Sequence, residues 1–96
     1  MKLLTVVATI VAKKKYVKEV GENLTKLLLP TRSEDGCVDY DLHHSINNPL
    51  IYIFYENWDS KAHLDAHLKS KHITTCMSNI NHMIEKIDVH ELTIVK

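Results

Sequence analysis

Two cysteines, two prolines and two glycines are all that this 96-residue chain contains. Cys37 and Cys76 stand far apart, in neither a C-x-x-C nor a zinc-finger spacing, which points to free thiols in a reducing, cytoplasmic compartment. No glycine-rich loop is present to cradle a phosphate. Neither sign of charge is in surplus: Lys plus Arg and Asp plus Glu are both 12, and the formal charge is zero. With no basic run interleaved with aromatics, nucleic acid is not an expected partner. No apolar stretch approaches the ~20 residues that span a bilayer, so no membrane partner is expected either. The opening residues 1–4 carry a lone Lys and an apolar run, but Thr5 and Thr9 interrupt that run and no small-residue cleavage site follows. They read as the approach to a strand, not as a signal peptide. Repeats, linkers and low-complexity segments are also missing, so residues 1–96 read as one domain.

What is plentiful is histidine, seven in all, which makes the charge rise as pH falls below about 6.5. Hydrophobic periodicity orders the rest. Residues 3–12 form a strand with one wholly apolar face (Leu4, Val6, Ala8, Ile10) and one mixed face carrying Thr5 and Thr9. Tyr16, Val17, Val20, Leu24, Leu27 and Leu28 then repeat at helical spacing until Pro30 kinks or ends the helix, and Asp35-Gly36 turns the chain. A second strand covers residues 37–45, and Asn47-Asn48-Pro49 makes a hairpin loop into a third, residues 50–58, which is apolar on both sides. A short helix opened by Asp59 or Ser60 follows. Ile73, Met77, Ile80 and Ile84 mark another helix by their 4-3-4 spacing, and residues 89–95 supply the last strand.

The order β-α-β-β-α-α-β predicts an α+β fold: a ferredoxin-like split βαβ with an antiparallel four-stranded sheet. Helices cover only one face of such a sheet, yet the first and third strands are apolar on both. A second copy is the simplest cover, so a homodimer packed sheet against sheet is expected.

Chemistry concentrates where Phe54-Tyr55-Glu56-Asn57-Trp58 hands over to the helix bearing His63 and His67, with His72 just beyond. Ionisable and π-faced side chains gather there among residues that should be buried. These pieces, with residues 29–37, Tyr40-Asp41-Leu42-His43 and residues 66–72, resemble the antibiotic biosynthesis monooxygenase family of dimeric α/β-barrel proteins. Lys71 stands where relatives usually have Pro. The resemblance implies oxidation of a small electron-rich aromatic, a quinol or anthrone, by O₂ with no cofactor. The substrate supplies the electrons; the protein supplies a dry pocket, a base and donors for the developing anion. Haem-degrading relatives use a helix Trp and a His ten residues later, positions held here by His67 and Met77. Polyketide-oxidising relatives place an Asn four residues before the strand-end Trp and a Tyr six after it. Here those positions are Phe54 and Leu64, and only Trp58 carries over.

His72 is the favoured base, since an imidazole titrates near neutrality with little tuning; its alternative role is capping a helix end. Glu56 and His67 are the next candidates. Glu56 on an apolar strand face must pair or hold a proton, and His67 lies on the core stripe of its helix, where a buried neutral ring is equally in keeping. Trp58, Phe54, Tyr52 and Leu64 would shape an apolar wall for the substrate, or simply pack, while Thr5 offers a hydroxyl donor. His63 and His67 have the spacing of two ligands on one helix face, but no H-E-x-x-H or Cys partner supports them, so no metal site is expected. Two other readings stay open: a non-catalytic small-molecule-binding dimer, and an isomerase of a phosphorylated metabolite related to autoinducer processing, with Arg32 or lysines holding the phosphate.

Overall fold

The computed structural model describes residues 2–96; Met1, part of the opening stretch read above, lies outside them. The elements are β1 (Leu4–Ala12), α1 (Val17–Thr25), α2 (Leu28–Arg32), β2 (Cys37–His44), β3 (Ile51–Trp58), α3 (Lys61–Leu68), α4 (Lys71–Ile80) and β4 (Ile84–Leu92). The strands make one antiparallel sheet in the order β2-β3-β1-β4. This is the ferredoxin-like α+β arrangement that the sequence pattern predicted. The β-branched, apolar strands β1 and β3 occupy the centre, where both edges are paired.

Side-chain alternation divides the sheet. Val6, Ala8 and Ile10 of β1, Phe54 and Trp58 of β3 and Tyr40 of β2 face the helices and are buried. Val20 and Leu24 of α1 and Cys76 and Ile80 of α4 close the core from above. On the far face, Val7, Thr9, Val11, Ile51 and Ile53 are half-buried, and no helix covers them.

The element boundaries differ from the sequence reading in two main places, and the last strand ends at Leu92 instead of residue 95. The first helix breaks at Lys26–Leu27, ahead of Pro30, which is the third residue of α2. In a helix's first turn the N–H groups have no intrahelical acceptors, so a proline there removes nothing. At the other end, α4 stops at Ile80, a short 3₁₀ turn follows, and Ile84 opens β4 instead of continuing the helix. Ile84 pairs with Ala12 of β1 and Lys13 N–H donates to the Met83 carbonyl at 2.8 Å, so sheet pairing overrides the helical spacing. Ile84 still packs on the same core, from a strand.

One tight turn positions the site. Gly36 has φ +80°, and a Cβ there would lie 2.2 Å from Cγ of the His63 ring. Asp59 N–H donates to the Gly36 carbonyl at 2.8 Å, tying this turn to the β3–α3 junction. Glu34 is thereby brought beneath α3 and the start of α4.

Candidate active site

A cavity of about 150 Å³ lies between sheet and helices. Its floor is Val6, Ala8 and Ile10 of β1 with Tyr40, Phe54 and Glu56; its roof is Leu64 and His67 of α3 with Ile73 and Met77 of α4; β4 forms one edge through Ile87, Val89 and Glu91. Apart from Glu56, His67, Glu91 and Tyr40, the wall is apolar.

Glu56 is 5% exposed. The Trp58 indole Nε1 donates to its Oε1 at 2.9 Å, while Oε2 has no hydrogen-bond partner among the described residues. Burial pushes the carboxyl up from 4.5 to about 7; the indole hydrogen bond opposes that rise and the charge of Glu34 adds to it. A carboxylate so placed is half-ionised near neutral pH and can both take and return a proton.

His67, at 2% exposure, shares the cavity wall. Its ring is held between Trp58, at 4.7 Å between centroids, and the edge-to-face ring of Tyr40 at 5.4 Å. Its Nδ1 is 2.7 Å from Glu34 Oε2. Burial pulls its pKa below the ordinary 6.5, against the pull of Glu34 in the other direction, so the ring is neutral at pH 7. The same Glu34 Oε2 lies 2.6 Å from His72 Nε2. One carboxylate oxygen thus bridges two imidazoles contributed by different helices.

His72, the favoured base on sequence grounds, does not line the cavity. It reaches a separate groove of about 440 Å³ between α1 and α4, beside Asn23, Lys26 and Thr75. Its position at the start of α4 turns it outward; its ring lies 6.0 Å from that of His67, and the two share Glu34. Phe54 and Leu64 do line the cavity. Trp58 is wholly buried behind Glu56 and His67, where it orients both without forming the wall. Tyr52 is four residues from Glu56 on the same face, about 13 Å along an extended strand. Its hydroxyl donates to the Val17 carbonyl at 3.0 Å and its ring stacks on His44. Thr5 is on the opposite sheet face, donating to Asn57 Oδ1 at 2.5 Å; because Val6 faces the cavity, strand alternation sends Thr5 away from it. His63 does not pair with His67: its Nδ1 is 2.7 Å from the Ser60 hydroxyl. Both cysteines are free, and burial pushes each thiol up to about 11, so neither is a thiolate at neutral pH.

Glu34 and Tyr40 fall within the stretches that carry the family resemblance, and the sequence alone assigns neither a role. Glu34 sits 33 residues from His67 and 38 from His72. The only local signal is a carboxylate two residues before the turn glycine.

The model of the family described as antibiotic biosynthesis monooxygenase matches residues 3–79. Rv0793 of Mycobacterium tuberculosis, whose name assigns it provisionally to the monooxygenases, is 32% identical over 63 residues, 66% of this chain and 61% of its own length. The chain therefore spans about three fifths of that curated relative. Among solved structures, PA3566 from Pseudomonas aeruginosa superposes with a TM-score of 0.95 at 25% identity, covering 100% of this chain and 97% of its own. A structure described as an antibiotic biosynthesis monooxygenase gives a TM-score of 0.91 at 29% identity, covering 97% and 99%.

Proposed function

The chain belongs to the antibiotic biosynthesis monooxygenase family, and we propose that it oxidises a single-ring phenol or quinol with O₂, with Glu56 as the base. The observation that carries this reading is a buried carboxylate opening onto a benzene-sized apolar cavity. A dry cavity of about 150 Å³ in a protein interior accommodates one benzene ring. The value of about 150 Å³ found here therefore favours one ring over the three fused rings of an anthrone.

Glu56, held by the Trp58 indole, takes a phenolic proton. The phenolate gives one electron to O₂, and the resulting radical pair joins as a carbon–oxygen bond at a ring carbon that carries hydrogen. The protonated Glu56 returns its proton to the peroxide. It then takes the ring proton as the O–O bond breaks and hydroxide leaves. A quinol plus O₂ thus becomes a hydroxyquinone plus water, with the substrate supplying all the electrons, so the scheme calls on no flavin or haem. The apolar wall keeps water from the charged intermediates.

The reading includes a second copy on the uncovered sheet face. That face carries Val7, Val11 and Ile53 in its middle, with Asp39, Asp41 and His43 on β2 and Lys86, Asp88 and His90 on β4. A two-fold axis through the middle would bring the apolar residues of the two copies together.

Oxygen uptake corrected for autoxidation, measured on single-ring quinols and tricyclic anthrones in parallel, tests the reaction and the size limit together. Turnover of the former with little of the latter is expected. Binding of quinols without uptake would replace the enzyme by a ligand-binding protein.

A further inference from the structure

Glu34, His67 and His72 come from three segments: the turn after α2, the last turn of α3 and the first turn of α4. One ligand-type atom from each, Glu34 Oε2, His67 Nδ1 and His72 Nε2, lies within 4.8 Å of the other two. We propose that these three side chains form a divalent transition-metal site, taking Zn²⁺ or a cation of similar preference. The metal-ligand spacing that stands out in the sequence, His63/His67, is not the pair that the fold assembles.

Two imidazoles and a carboxylate are the donor set of open zinc sites, in which three protein ligands leave a fourth position for water or another ligand. The ring plane of His67 is fixed by Trp58 and Tyr40, the kind of outer support that orients a metal-bound histidine. The groove beside His72 gives a route in and room for an exogenous ligand. Lys26 and Lys71 line that groove, so an anion would suit the open position.

Tetrahedral ligands at about 2.0–2.1 Å from a metal stand roughly 3.3–3.4 Å apart. The two Glu34 contacts, at 2.6 and 2.7 Å, are hydrogen bonds and must open by several tenths of an ångström to admit a cation. Glu34 and His72 have room to move, with side chains 18% and 26% exposed, whereas His67 is packed on both faces. The cation would sit beside the 150 Å³ cavity and not in it, since neither Glu34 nor His72 lines that space. With His67 Nδ1 bound, the ring's remaining proton resides on Nε2. The inference stands without the proposed oxidation, since it concerns binding alone.

Untagged protein, stripped with chelator, is titrated with Zn²⁺ by calorimetry and with Co²⁺ by visible absorption. One cation per chain is expected, with Co²⁺ bands typical of four or five nitrogen and oxygen ligands. Removing a hydrogen-bond partner of a metal ligand costs about 10–100-fold in affinity, and removing a ligand costs at least as much. Glu34→Gln and His72→Gln should therefore each weaken binding at least about tenfold while retaining the wild-type circular dichroism. His90→Gln, on the opposite sheet face, should leave binding unchanged. No binding to wild type, or binding that both site variants retain, would overturn the proposal and leave the cluster as a hydrogen-bonded carboxylate bridge.

Discussion

Glu56 concentrates the physical argument at the scale of single residues. Its carboxyl is raised from 4.5 to about 7 in the fold, so the fold prefers the protonated form. Stability from this group is fully present below pH 4.5 and is lost as pH rises through about 7. The full loss corresponds to about 3 kcal/mol as an order of magnitude. Glu56→Gln keeps an oxygen for the Trp58 indole and carries no charge. Denaturant titrations should show the variant matching wild type near pH 4 and exceeding it by about 1–3 kcal/mol at pH 8. Equal stabilities at pH 8 would mean that the carboxyl is not raised. The sequence made Glu56 visible as a carboxylate on an apolar face. It did not show His72 to be separated from the cavity, because nothing in local spacing tells which side of the helix layer a first-turn residue meets. Glu34 was hidden for a related reason, since its partners are long-range contacts.

At the scale of elements, the turn at Gly36 holds β2, α3 and Glu34 in one geometry. Gly36→Ala meets two costs. A left-handed backbone costs a non-glycine residue about 1–2 kcal/mol. The added Cβ also stands 2.2 Å from the His63 ring, which must move. Chemical denaturation should therefore show a loss above about 2 kcal/mol; a loss under about 0.5 kcal/mol would contradict this account of the turn. Strand and helix types were legible because alternation and helical spacing are strong in β1, β3, α1 and α4. Boundaries were not. Pro30 looked like a terminator because the break that precedes it, at Lys26–Leu27, leaves no mark in residue type. Ile84 looked helical because a strand residue can fill the same core position when β1 offers it a partner.

For the whole molecule, the uncovered sheet face governs assembly, and the two-sided apolarity of β1 and β3 was plain in the sequence. No helix among the described residues is long and apolar enough to cross a membrane. Sedimentation velocity should show a dimer, and Ile53→Lys should shift it to single chains that keep their helical circular dichroism. A wild type that sediments as a single chain at micromolar concentration would remove the second copy from the account. The central claim is that Glu56 deprotonates a phenolic substrate in the cavity. The most direct measurement is the pH dependence of oxygen uptake with a single-ring quinol, wild type beside Glu56→Gln, after subtraction of autoxidation. The account predicts a wild-type rate that rises with pH through an apparent pKa near 7 and an inactive, folded variant. Equal uptake by the two proteins across that range would contradict it.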